Sequence, residues 1–281
     1  FTSRNLLYYF RNKVKLTPIT KTIINSNISN HHKSKKFYSL NQTVVGETAS
    51  AKIKRLIQVL KKDGSDHIFI SAPENVAWLL NIRGKDNPNS PIPNSKIILT
   101  NKKKIIFFSF SKKIFKMKKN KLYKNFIFCE YKNFSHIINN LKGKSFCIDE
   151  LTCSISNEKI IKSRFKVKCY TDPCYGMKSI KNNIEIKHTI NAHIEDGLAL
   201  TKFIYWIKNK NKKRITEIDA QNKLESFRKK NKNYLFPSFN TIAGAGPNGA
   251  IVHYKATKKF CRIIKKNDIF LCDSGGQYKY G

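Results

Sequence analysis

An α/β domain over residues 46–170, followed by an α+β segment over residues 171–281, is the fold class predicted here, and three observations predict it. Short strand-like apolar runs alternate with helix-spaced stretches between Gly46 and Tyr170. The Pro/Gly break Tyr170 to Gly176, YTDPCYG, then interrupts that alternation and marks a border. Beyond the break, long helical stretches come first, and short runs broken by Gly, Pro and Asn come last.

Residues 1–45 are polar, basic and irregular, and read as the tail of a preceding domain and a linker. A helix is predicted over Asn5 to Arg11 and the linker over Asn25 to Lys36. Ile53, Leu56, Ile57 and Leu60 fall at helical spacing, and Asp63-Gly64 ends that helix. His67 to Ser71 reads as a strand, and Pro73 opens a short helix through Trp78 and Leu80. Lys96 to Thr100 and Lys104 to Phe110 read as a hairpin turning at Asn101. A helix over Phe134 to Leu141, a strand over Ser145 to Ile148, a helix over Ser156 to Ser163 and a strand over Phe165 to Tyr170 complete the first domain.

In the second, Ile184, Ile190, Ile194 and Leu198 continue from Ile180 at near-helical spacing toward Trp206. Thr216 and Asp219 stand three apart as a capping box ahead of a helix through Leu224 and Phe227. The last segment reads as short strands, one of them Ile269 to Cys272, and no internal repeat is present.

The composition is globular, with 40% apolar residues, 19 Phe and 12 Tyr. A formal charge of +37 resembles a nucleic-acid binder's, but 47 lysines stand against eight arginines and are spread over the whole chain. A Lys/Asn/Ile bias of this kind is compositional, and no specific nucleic-acid partner is expected. The seven cysteines form no C-x2-C pair, so they read as small buried hydrophobes of a reducing, cytoplasmic setting. No apolar run approaches the ~18 residues that span a bilayer, and no membrane partner is expected. The chain has no initial Met and begins inside a helix, so both ends are expected to be truncations.

Gly244-Ala245-Gly246-Pro247-Asn248-Gly249 satisfies G-x-G-x-x-G, but the glycines run into the β-branched stretch Ala250 to Tyr254 where a dinucleotide fold needs a helix. His188 and His193 are five apart on a helix, hence on different faces, and read as packing or surface residues. Arg83 is either a cation satisfying helix-end carbonyls, the simpler reading, or a side chain reaching into a cleft. His253 closes the run Ala250 to Val252, and Asp273 ends the run at Cys272 ahead of the turn Ser274-Gly275-Gly276. If both runs are strands, the imidazole and the carboxylate converge at one sheet edge, as in a metal or hydrolase site. One carboxylate and one imidazole are too few to hold a catalytic metal.

Segments in this order resemble the Xaa-Pro aminopeptidase (aminopeptidase P) branch of the creatinase/prolidase (M24) metallopeptidases: Trp78-Leu79-Leu80-Asn81-Ile82-Arg83-Gly84, Phe239 to Ile242 with Gly246 to Tyr254, and Asp273 to Tyr278. The resemblance implies an N-terminal creatinase-type α/β domain over 46–170, and the first, incomplete part of an α+β "pita-bread" catalytic domain over 171–281. It implies two divalent cations, commonly manganese, held by two Asp, one His and two Glu, of which Asp273 matches the first Asp. His253 matches the family's active-site His, which contacts substrate and not metal. The remaining ligands would lie beyond Gly281, so the segment alone is expected to be inactive. Peptides with proline in second position are the implied substrates, and the family often forms homodimers. Two other readings stand beside this one: a dipeptidase of the same superfamily, and a catalytically dead homologue that binds polyanions.

Overall fold

The computed structural model describes residues 2–10, 13–14, 37–109, 123, 125–209 and 214–280. The expected linker, with His31 and His32, lies outside them. The described chain forms two compact units, one of Phe1–Asn41, Glu47–Asn87 and Ile92–Ile180, the other of Gln42–Gly46, Pro88–Pro91 and Lys181–Gly281.

In chain order the elements up to the first long strand pair are α1 (Ser3–Phe10), β1 (Tyr38–Ser39), α2 (Gln42–Val45), α3 (Ala49–Lys62), β2 (His67–Ile70), α4 (Pro73–Leu79) and β3 (Ile82–Arg83). Then come β4 (Lys96–Thr100), β5 (Ile105–Phe108), β6 (Phe126–Cys129), α5 (Phe134–Asn140), β7 (Ser145–Ile148), α6 (Ile155–Lys162), β8 (Lys166–Cys169) and α7 (Pro173–Ser179).

The first unit is built on a mixed six-stranded sheet in the order β6-β5-β4-β2-β7-β8. β4 runs antiparallel to both its neighbours, β2 and β5, whereas β6 adds in parallel to β5, β7 to β2 and β8 to β7. β2, β4, β5 and β7 read as nearly unbroken apolar runs because both their faces are covered. Ile68, Ile70, Ile97, Leu99, Ile105, Phe107 and Cys147 face one core with Leu56 and Leu60 of α3 and Val76 and Leu79 of α4. Their neighbours Phe69, Ile98, Ile106, Phe108, Phe146 and Ile148 face the other, with Phe134 and Ile138 of α5 and Ile161 of α6. The period of two along each strand therefore separates two cores across one sheet.

The expected border at Tyr170 to Gly176 falls inside this unit, which runs to Ile180. Asp172 holds the break in place: its N–H donates to Asp149 Oδ2 at 3.0 Å, and its Oδ2 accepts from Asn75 Nδ2 at 2.7 Å. Cys174, fully buried, packs into the first core. Tyr38–Ser39, expected in the tail, also belongs to this unit by pairing antiparallel with Ile82–Arg83. Arg83 satisfies carbonyls, its Nη1 donating to Ala77 in the last turn of α4 and to Ile82.

The second unit adds α8 (Asn183–Lys208), α9 (Glu217–Arg228), β9 (Tyr234–Pro237), β10 (Ile242–Ala245), a 3-10 turn (Gly246–Ala250), β11 (Phe270–Asp273) and β12 (Gly276–Tyr278). Both long helices open with complete capping boxes, Asn182 with Glu185 and the expected Thr216 with Asp219. Phe203 of α8 and Ala220 and Leu224 of α9 form a small core against Phe270 and Cys272 of β11. β10 pairs antiparallel with β11, and β12 with β9. Most of α8 stays open, with Ile190, Ile194 and Leu198 exposed. Among the described residues no helix is long and apolar enough to cross a membrane.

Candidate active site

β11 alternates strictly. Phe270 and Cys272 turn toward the small core, so Leu271 and Asp273 take the open face. Asp273 pairs with Ile242 at the end of the strand, as expected for the run closing at Cys272. The chain then leaves this hairpin and joins β9 through Ser274 and Gly275. The glycines are there for close approach: a Cβ on Gly275 would meet Ser238 Oγ at 2.3 Å, and one on Gly276 would meet the Tyr234 and Tyr278 rings at 2.9 Å.

The chain carries 18 acidic residues. Among the described residues Asp273 is the one carboxylate with no hydrogen bond or ion pair to another described residue. In so basic a chain that is a distinctive environment. An exposed, unshared carboxylate on a strand end suits a hard divalent cation. Among the described residues no cluster of three or more His, Cys, Asp or Glu could complete such a site.

His253 is placed differently from the expectation. The run Ala250 to Val252 is not a strand; the 3-10 turn occupies Gly246–Ala250 and a further turn carries His253, whose φ is +55°. The cause is local. Pro247 sits at the start of the 3-10 turn, Gly246 takes φ +55°, and Asn248 is drawn inward by its side chain, so strand pairing never starts. Ile251 and Val252 are exposed, so their β-branched character signals no burial here. The dinucleotide reading of the glycines fails with it, since no α-helix begins among them. Gly249 packs over Leu271, with its Cβ position 3.6 Å from the Leu271 Cβ. The 3-10 turn thus folds back onto the hairpin at Leu271. His253 lies in an exposed turn beyond the 3-10 turn and does not end a strand beside Asp273.

Two buried charged side chains, absent from the sequence reading, support these turns. Glu217, fully buried at the first position of α9, accepts from Ala245 N (2.7 Å), Asn248 Nδ2 (3.0 Å), Tyr254 OH (2.7 Å) and Arg262 N (2.9 Å). Burial alone would raise its proton affinity, but the Tyr254 hydroxyl and the other donors outweigh it and hold the carboxyl below its ordinary range. Burial, with the same contact, pushes the Tyr254 phenol up to about 12.

Arg228, at the last turn of α9 and 1% exposed, donates from Nε and Nη2 to Asp196 at 2.7 and 3.0 Å, and from Nη2 to Ser274 Oγ at 3.1 Å. Tyr278 OH donates to the same Asp196 at 2.7 Å. Burial pushes the Asp196 carboxyl up, but Arg228 and Tyr278 more than reverse this and leave it depressed. On α8 His193 is exposed, with Nδ1 2.9 Å from Thr189 O, and His188 is half-buried beside the Tyr280 ring.

Comparison with known proteins identifies the family. The creatinase/prolidase N-terminal domain matches residues 29–185, and metallopeptidase family M24 matches residues 187–281. A probable Xaa-Pro aminopeptidase P of Paracoccidioides brasiliensis is 34% identical over 257 residues, 84% of this chain and 41% of that protein. The Xaa-Pro aminopeptidase ApepP of Drosophila melanogaster is 32% identical over 265 residues, 88% of this chain and 41% of its own length. The crystal structure of an X-prolyl aminopeptidase from Caenorhabditis elegans, a cytosolic enzyme with a di-nuclear active site, superposes with a TM-score of 0.80 at 28% identity, covering 88% of this chain and 42% of that one. A Xaa-Pro dipeptidase from Bacillus anthracis shares the fold, with a TM-score of 0.62 at 19% identity over 83% of this chain and 62% of its own.

The matched domains and the fold define a metallopeptidase architecture, a creatinase-type α/β domain followed by a domain of the M24 pita-bread class. The chain belongs to the creatinase/prolidase family, and it spans about two fifths of the length of the curated relatives it matches.

Proposed function

We propose that the protein is a metal-dependent aminopeptidase that releases the N-terminal residue from peptides with proline in second position. The observation that carries this reading is the open Asp273 carboxylate at the end of β11, in a chain whose every other described carboxylate is engaged. Asp273 would hold one of two divalent cations, manganese by preference, as an oxygen ligand. When bound, such cations polarise the scissile carbonyl and lower the pKa of the attacking water. His253, exposed in its turn, would hydrogen-bond the peptide and orient it. Relatives named as Xaa-Pro aminopeptidases and the cytosolic di-nuclear neighbour support the substrate class, the two metals and a cytoplasmic setting.

The test is Asp273→Asn in the full-length protein. Manganese-dependent cleavage of an Xaa-Pro-containing peptide should fall at least a hundredfold, on the order expected for loss of a direct metal ligand. Undiminished cleavage would remove Asp273 from the site. Comparing a free Xaa-Pro dipeptide with a longer peptide separates the aminopeptidase from a dipeptidase of the same fold.

A further inference from the structure

Glu217 and Arg228 are eleven residues apart, three helical turns with about 20° left over, so they lie on one face of α9. That face is the buried one, with Ala220 and Leu224 between them. Charged side chains on the core face of a helix desolvate at a cost, and each must be matched by specific partners. At the N-terminal end, all four of Glu217's donors belong to the strand end, the 3-10 turn and the loop that surround His253. Tyr254, adjacent to His253, is among them. At the C-terminal end, Arg228 reaches past Asp196 to Ser274, adjacent to Asp273.

We propose that α9 is the positioning element of the site: Glu217 fixes the turn that carries His253, and Arg228 fixes the turn that follows Asp273. The proposal rests on the reading of His253 and Asp273 given above. It also explains how His253 keeps a left-handed backbone on an exposed loop. The neighbouring Tyr254 hydroxyl, tied to Glu217 and held 2.9 Å from Asn248 Nδ2, prevents the turn from relaxing. Both side chains are buried and engaged by protein groups, so each acts through the turn it holds.

The two ends make separable demands, which the full-length protein can test with variants that cut each link and spare the rest of the helix. Glu217→Gln replaces one acceptor oxygen by a donor among four donors, and Ser274→Ala removes the contact between Arg228 and the turn, together with the side-chain bond between Ser274 and the neighbouring Cys272. Three readings are taken: manganese affinity from the free-ion electron paramagnetic resonance signal, KM and kcat on an Xaa-Pro peptide, and amide exchange by mass spectrometry.

Glu217→Gln should speed exchange over residues 246–254 and lower kcat/KM roughly ten- to a hundredfold, through KM, with manganese affinity within about twofold of the parent. Ser274→Ala should weaken manganese about tenfold and speed exchange over residues 272–276 only. Exchange that stays unchanged in both variants, or that rises over both segments in each, overturns the proposal whatever the activity shows. If His253→Ala and Asp273→Asn are themselves without effect while exchange responds as expected, the functional reading fails and the positioning role survives.

Discussion

The Arg228–Asp196 pair is asymmetric, and the asymmetry predicts which half is costlier to remove. The Arg228 side chain is 1% exposed and that of Asp196 is 27% exposed. Truncating Asp196 to Ala leaves a guanidinium buried with its main counter-charge gone and only Ser274 Oγ still accepting from it. Breaking a buried pair in this way costs roughly 3–5 kcal/mol. Replacing Arg228 by Met keeps most of the side-chain volume and strands a carboxylate that water can reach and that Tyr278 OH still serves. Its cost is the loss of charge-assisted bonds, about 1–3 kcal/mol.

Asp196→Ala should therefore be the more destabilising change by about 2 kcal/mol, a factor near thirty in the folding equilibrium. The double variant should cost less than the sum of the two, because it strands neither charge. Trp206, stacked on Phe203 in the small core of the second unit, reports this locally once Trp78 is replaced by Phe. Urea titrations at neutral pH then give the three values. If Arg228→Met proves as costly as Asp196→Ala, burial of the two ends does not set the energetics and the reasoning fails.

His67, 3% exposed at the start of β2, places Nε2 2.9 Å from Lys142 O and packs its ring on Phe146 and Phe165. Burial depresses its pKa more than Lys142 O and Asp66 raise it, so the folded ring stays neutral where the unfolded one takes up a proton. Stability should therefore fall as pH drops below about 6.5 toward the folded value, by at most about 1.4 kcal/mol per pH unit. His67→Phe should flatten that slope between pH 6.5 and 5, above the range in which the depressed carboxylates contribute, and an unchanged slope would assign it elsewhere. Asn81 holds φ +52° while accepting from the buried Lys52 Nζ at 2.8 Å and donating to Glu47 O at 2.9 Å. Asn81→Gly and Asn81→Ala lose the same two bonds, but only Ala adds left-handed strain, so Ala should be worse by about 1–2 kcal/mol. Urea unfolding followed at Trp78, which stacks under Lys52 at 4.3 Å, decides it, and equal losses would refute the strain argument.

The first unit was largely legible because its strands are buried on both faces and so read as unbroken apolar runs. β2, β4, β5 and β7 all follow that rule. β6 does not: it is an edge strand with Ile127 exposed, and its four residues carry no alternation to mark it. β1 and β3 are two residues each, below any periodic signal. The border moved because a Pro/Gly break marks a turn but not its ownership. Asp149 and Asn75, distant in sequence, decide that this turn packs with the sheet. In the site, Asp273 was legible as a strand-end acid. His253 was recognisable as a residue of interest but misplaced, since Ile251-Val252 imitates a strand in a segment whose conformation is set by Pro247, Asn248 and the distant Glu217.

A recoverable signal nevertheless existed for the residues that were missed. The Thr216–Asp219 box, readable in sequence, places the first residue of α9 at Glu217. With that origin, Ala220 and Leu224 define the apolar stripe at i+3 and i+7, and Arg228 falls on it at i+11. A helix with a charge at each end of its core stripe cannot leave both in solvent while Ala220 and Leu224 face the core. Each must then find its counter-groups in whatever packs there. In the second unit those are the hairpin, its turns and the long helix α8, and the two turns concerned are the ones beside His253 and Asp273. Charge in register with a core stripe is thus a stronger pointer to a supported site than the isolated acid or imidazole, because desolvation makes the partners obligatory.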